Sequence, residues 1–107
     1  MAAEAMPASV TIRNGIFSDT KGLTLYIADS DRAANVSSCY DNCGHNWPAF
    51  NPAENDQETG DWKIITRDDG TRQWAYKGKP VYHFILDRQV GDVKGDGIGN
   101  VWHAVRP

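Results

Sequence analysis

Two cysteines, Cys39 and Cys43, and two histidines, His83 and His103, are the side chains in this sequence whose types and spacing best suit chemistry. The cysteines lie in SSCYDNCGHNW, Ser37 to Trp47. On a helical turn, residues i and i+4 share a face with Cα atoms about 6 Å apart, inside the ~4.4 to ~6.8 Å that a disulfide tolerates. The first reading is therefore a structural disulfide, and closing so short a loop contributes about 2 kcal/mol. Metal or haem-type ligation with His45, or a pair of free or redox-active thiols, are the alternatives. The C-x3-C spacing departs from the C-x2-C of thioredoxin-like pairs and most zinc knuckles. His83 and His103 offer neutral imidazoles, which suit copper or zinc, and with a carboxylate such as Asp87 or Asp92 they would form a minimal transition-metal site. The competing reading makes each an ordinary, partly buried histidine hydrogen-bonded to backbone.

The loop GDVKGDGIGN, Gly91 to Asn100, invites a calcium reading through Asp87, Asp92, Asp96 and Asn100. It lacks the alternating acidic ligands and terminal bidentate Glu of an EF-hand, and its glycines more simply permit positive φ in tight turns. No βαβ unit follows, so they form no dinucleotide fingerprint. The sequence has no Gly-x-Ser-x-Gly elbow, no His-Glu-x-x-His and no P-loop. Nothing in the spacing asks for catalysis, and a small hydrolase or redox protein is the remotest reading.

The elements that must carry these residues come in two copies. KGLTLYIADSDR, Lys21 to Arg32, matches KGKPVYHFILDR, Lys77 to Arg88, at Lys, Gly, Tyr, Asp and Arg with an offset of 56. GHNWPAF from Gly44 matches GNVWHAV from Gly99 at Gly, Trp and Ala with an offset of 55, as do Asn14-Gly15 and Asp69-Gly70. Repeat one runs from about 10 to 52 and repeat two from about 62 to 107, joined by a polar, acidic loop over 51–61. In this alignment His83 faces Ile27, His103 faces Pro48 and His45 faces Asn100, so no histidine is repeated.

Asn-Gly and Asp-Gly between short β-prone runs are hairpin cues, and the segments after Lys21-Gly22 and Lys77-Gly78 read as strands. The fold class is a small all-β single domain of two pseudo-symmetric antiparallel β-meander repeats. One short helical segment is expected near 38–44, with Ser37 or Ser38 as N-cap and Gly44 as stop. Alternation puts Tyr82, Phe84 and Leu86 on one strand face and Val81, His83 and Ile85 on the other. Tyr26 with Asp31, and Tyr82 with Asp87, read as structural. The ring packs on the core with its hydroxyl at the rim, and the carboxylate takes N–H groups of the following loop. Phe84, Trp47 and Trp102 are expected in the core, with Trp62 and Trp74 partly exposed.

At 107 residues, with 40% hydrophobic and 23% charged side chains, the chain fits one soluble domain. A formal charge of -3 argues against a nucleic-acid surface. No apolar run approaches the ~20 residues of a membrane-spanning helix, and MAAEAMPASV has no charged-then-apolar signal arrangement.

Tyr82-His83-Phe84-Ile85-Leu86-Asp87, a Gly-Asp-rich loop and then Val101-Trp102-His103 resemble the bacterial secreted repeat family described as predicted lipoproteins with a Yx(FWY)xxD motif. The cysteine pair before Trp47-Pro48 and the G-x-G-x-V-W-H run from Gly97 fit the same family. Repeat one departs from it, with Ala28 at the aromatic position. The resemblance implies export, to the periplasm or beyond the cell, and a family of uncharacterised function. The expectation is an exported binding or interaction module of the cell envelope, monomer or weak dimer, whose partner is a protein or small ligand. The alternative is a periplasmic Cu or Zn binder using His83 and His103.

Overall fold

The structure is a computed structural model that describes residues 6–107; the first five residues of the MAAEAMPASV segment lie outside it. Seven short strands form antiparallel pairs: β1 (Val10–Arg13), β2 (Ile16–Asp19), β3 (Tyr26–Ala28), β4 (Trp62–Thr66), β5 (Arg72–Tyr76), β6 (Lys79–Pro80) and β7 (Trp102–Ala104). A single helical turn, α1 (Asn42–Asn46), and a 3-10 turn at Ile98–Asn100 complete it. This is a small all-β architecture. The β1–β2 turn is Asn14-Gly15, with φ of 52° and 77°. Two successive positive φ values match the right-handed strand twist, and Asn and Gly tolerate them. Lys77-Gly78, with φ of 50° and 83°, makes the same two-residue connection between β5 and β6.

Four segments lie side by side at the centre, in the order 46–50, 81–85, 25–29, 101–105. Bridges join Ala49 to Tyr82 and Tyr82 to Tyr26, and β3 pairs with β7 through Tyr26↔Ala104. The two middle segments are the motif segments of the two repeats. Tyr26 N donates to Tyr82 O and Tyr82 N to Tyr26 O, both at 2.8 Å, so equivalent residues bond reciprocally about a pseudo-twofold axis. Each outer segment belongs to the opposite repeat from its neighbour. Phe50 N donates to Val81 O at 3.0 Å, and Val105 N to Leu25 O at 2.9 Å. Ile85 N donates to Asn46 O at 2.9 Å, and Asp29 N to Val101 O at 2.8 Å. The hairpins obey the same rule, since Phe17 N reaches Val105 O and Trp74 N reaches Phe50 O, both at 2.9 Å.

Alternation along these segments gives the sheet two buried faces. Leu25, Val81 and Val105 face one cluster with Phe17, Trp62 and Trp74. Tyr26, Tyr82 and Ala104 face a second cluster with Trp47, Phe84 and Trp102.

Three expectations need correction: the helical segment, the exposure of two tryptophans and the place of the tyrosine hydroxyls. The helical turn begins at Asn42 and contains Gly44 instead of stopping at it. Ser37 and Ser38 are committed elsewhere: the Ser37 hydroxyl bonds the Tyr82 hydroxyl, and Ser38 bonds Asp31. The expected meanders are present, β4–β5–β6 in the second repeat and β1–β2 with a bridge from Ser18 to Thr24 in the first, while each closing segment pairs with the other repeat. Trp62 and Trp74 are fully buried. The tyrosine hydroxyls are inside, not at the rim.

Candidate functional site

The motif residues form two buried pairs, each drawn from both repeats. Tyr26 donates its hydroxyl proton to Asp87 Oδ2 at 2.5 Å, and Tyr82 donates to Asp31 Oδ2 at 2.7 Å. Each motif thus supplies a phenol to one pocket and a carboxylate to the other. The second carboxylate oxygen ties down the following loop: Asp31 Oδ1 accepts from Ser38 N at 2.7 Å, and Asp87 Oδ1 from Lys94 N at 3.0 Å. Those donors are themselves equivalent, 56 residues apart. Burial, followed by the hydrogen bond to Asp87, pushes the Tyr26 phenol well above its usual range. Burial likewise raises Tyr82, with the Ser37 hydroxyl opposing and Asp31 adding to the rise. A folded-state value above the unfolded one means these phenols stabilise the fold below about pH 10, and that contribution is lost as pH climbs above it. Urea unfolding between pH 8 and 11 is expected to show stability falling from about pH 10, with a shallower fall in the Tyr26→Phe/Tyr82→Phe double variant. An equal slope in both proteins would contradict this assignment.

The equivalent tryptophans meet at the axis. Trp47 and Trp102 stack with centroids 3.8 Å apart and planes 4° from parallel. Phe84 stacks on Trp47 at 4.2 Å, and Tyr26 meets its edge at 5.4 Å. In the other copy Ala28 stands opposite Trp102 in the β3–β7 register, in one cluster with Cys39 and Cys43. Those cysteines are joined, with sulfurs 2.05 Å and Cα atoms 5.2 Å apart. Gly95, 56 residues after Cys39, bears no side chain because a Cβ there would stand 2.7 Å from the Trp47 ring.

His83 and His103 lie on the segments that flank β3 from either side, and each is engaged by its own carboxylate. His83 Nε2 is 2.9 Å from Asp19 Oδ2, and His103 Nε2 is 2.8 Å from Asp29 Oδ2. An ionised carboxylate only accepts, so Nε2 carries the proton in both. Among the described residues, no group of three or more His, Cys, Asp or Glu side chains is gathered to hold an ion. The acidic loop residues are engaged by the chain itself. Asp92 Oδ2 accepts from Arg88 N and Gln89 N, and Asp96 accepts from Ala104 N and Arg106. These donors hold the Asp92 and Asp96 carboxyls below the usual carboxylate range.

The His83–Asp19 pair lies on the wall of an open cleft of about 570 Å³, whose lining includes Ser9, Lys21, Phe50 and Asn51. Asp19 is fixed from both sides, its Oδ1 accepting from Lys21 N and Leu23 N at 2.9 and 3.0 Å. Phe50 meets the edge of the His83 ring at 5.2 Å. Lys21 makes no ion pair with another described residue. A second recess, of about 340 Å³, is apolar and bounded by Trp47, Phe84, Ile85, Leu86 and Ile98.

Sequence reasoning missed Asp19, although its position two residues before Lys21-Gly22 is an Asx-turn signal. Arg67 carried no signal. Buried, it donates to Ser37 Oγ, Gln73 Oε1 and the Cys39 carbonyl at 2.8 to 3.1 Å, and its guanidinium lies 4.4 Å over the Tyr40 ring. It thereby joins the Tyr82–Asp31 pocket to the cysteine turn.

Residues 63–106 match the model of a family described as a secreted repeat of unknown function. No curated protein and no solved structure matches the chain. No helix among the described residues is long and apolar enough to cross a membrane.

Proposed function

We propose that this chain, with a secreted repeat as its second half, is an exported module of the cell envelope that binds a small ligand carrying an anionic group beside His83. One observation carries the reading. The pair on the cleft wall is built from both repeats, yet the corresponding residues of the other copy are apolar or aromatic: Ile27 by the offset of 56, and Tyr76 by the hairpin pairing, in which Phe17 N to Val105 O matches Trp74 N to Phe50 O and sets Asp19 against Tyr76. A fold that accepts Ile and Tyr at these positions does not itself require His and Asp. The cleft volume of about 570 Å³ falls within the range of small-molecule sites. Lys21, which pairs with no other described residue, supplies an ammonium at its rim, and His83 supplies Nδ1, which has no partner among the described residues and donates to an anion when the ring is an imidazolium. Phe50 and the prolines beside it give an apolar floor.

The test uses the residue that the other copy already carries. His83→Ile is expected to change stability by no more than about 1 to 2 kcal/mol, since Asp19 keeps two backbone donors. In amide chemical-shift titrations with small mono- and dicarboxylates, the parent protein is expected to show saturable shifts around Lys21 and Phe50. Those shifts should vanish in His83→Ile and weaken in Lys21→Met. Titrations that do not saturate, or that are the same in all three proteins, would sink the proposal.

A further inference from the structure

The pairings at the centre of this molecule are those of a dimer made within one chain. Both closing segments lie on the opposite repeat's motif segment, both buried tyrosines bond the opposite repeat's aspartate, and the two tryptophans stack across the axis. A repeat on its own would leave Asp31 or Asp87 buried without its phenol and one face of Trp47 or Trp102 bare. We propose that a second copy of this chain fits the same surface. Repeat one of one copy docks on repeat two of another, reciprocally, with loop 51–61 as the hinge.

The closed chain and the exchanged dimer share every contact outside the hinge, so the linker alone decides between them. That linker is polar; Ala53 and Asp56 bond each other within it, and it is held to the repeats by a few exposed or part-buried bonds, among them Ser9 Oγ to Asp56 Oδ2, Ile64 N to Glu58 Oε2 and Lys77 N to Asp61 O, which must open for exchange. A flexible linker of this length holds the repeats at an effective concentration of roughly mM, so closure dominates in dilute protein and exchange competes near that concentration. The geometry also says when closure must fail. Phe50 and β4 flank β5 on opposite sides, since Trp74 bonds Phe50 and pairs with Ile64. Crossing β5 and moving two residues along it, from 50 to 62, spans roughly 12 Å. Two linking residues give three Cα steps, about 11 Å fully stretched. Each exchanged unit keeps a complete cleft, with Asp19 from one copy and His83 from the other, so this inference does not depend on the ligand proposed above.

The experiment has two arms, one on a shortened chain and one on the full chain, both read by light scattering with size exclusion and by near-ultraviolet circular dichroism. Deleting residues 52–60 is expected to give a dimer that keeps the parent's near-ultraviolet spectrum, since the buried aromatic contacts are those of the closed chain. A folded monomer, or a dimer whose aromatic spectrum departs from the parent's, overturns the proposal. Should the shortened chain fail to fold, the parent protein decides. Refolded from denaturant at roughly mM concentration, it is expected to yield a dimer that persists on dilution, whereas refolding at roughly µM yields monomer. Monomer alone from both refolding concentrations overturns it.

Discussion

Tyr26→Phe is expected to cost about 2 kcal/mol of stability and Asp87→Ala about 3 kcal/mol, while the two together cost less than their sum by roughly 1.5 to 3 kcal/mol. Tyr26 and Asp87 are 61 residues apart and in different repeats, yet they share one buried hydrogen bond. Removing the phenol leaves the carboxylate oxygen unmet and also strips an acceptor from Gly95 N, which bonds the Tyr26 oxygen at 3.1 Å. Removing the carboxylate leaves the phenol and Lys94 N without their acceptor. The double variant loses each partner only once, which is why the costs do not add. Tyr82 with Asp31 is expected to couple in the same way, and Tyr82→Phe to cost about as much as Tyr26→Phe, because the Ser37 hydroxyl loses its acceptor there as Gly95 N does in the other pocket. The decisive comparison lies within a motif. Tyr26 with Asp31, and Tyr82 with Asp87, should be additive to within about 0.5 kcal/mol, since neither pair shares a bond. Urea denaturation of the parent and the eight variants measures all four couplings, and coupling within a motif instead of between motifs would refute the exchanged arrangement.

That exchange marks where the sequence stopped being informative. The constant offsets identified which residues are equivalent, and alternation placed Tyr82 and Phe84 in one cluster and Val81 in the other. The loop-facing role of Asp31 and Asp87 was legible too, because an aspartate at a strand end commonly accepts nearby N–H groups. Equivalence does not say who pairs with whom. A tyrosine that meets its own aspartate and one that meets its counterpart's produce the same pattern along the chain. The helix start was missed for a related reason: Ser37 and Ser38 have the side chains of N-caps, but their hydroxyls go to a tyrosine and an aspartate outside the turn. The histidines show the limit most sharply. His83 finds its carboxylate 64 residues away and His103 finds one 74 residues away, on the first repeat in both cases. No local spacing records such partners, and the carboxylates nearest in sequence, Asp87 to His83 and Asp96 to His103, are taken by Tyr26 and by Ala104 N and Arg106.

Trp47→Ala is expected to cost about 4 to 5 kcal/mol, with Trp102→Ala at about 3 kcal/mol. The tryptophans are equivalent by repeat, so an ideal twofold would make the losses equal. Their surroundings differ. Trp47 lies between Trp102 and Phe84, stacked on both, with the Tyr26 ring at its edge. Trp102 stacks on Trp47 and meets the edge of Tyr82, but its register partner across β3 is Ala28. Truncating Trp47 therefore opens the larger cavity, and the cost of a core deletion scales with the void that remains. Gly95→Ala supplies the complementary measurement. Its Cβ would fall 2.7 and 2.8 Å from two Trp47 ring atoms and 3.0 Å from Tyr26 Cε1, so in the parent it is expected to cost about 1 to 3 kcal/mol through overpacking. In the Trp47→Ala background most of that clash is gone, and the same substitution should become nearly neutral. Urea unfolding of the four proteins gives the coupling. If Gly95→Ala cost the same in both backgrounds, the close approach of Trp47 to the repeat-two loop would not be what keeps that position free of a side chain.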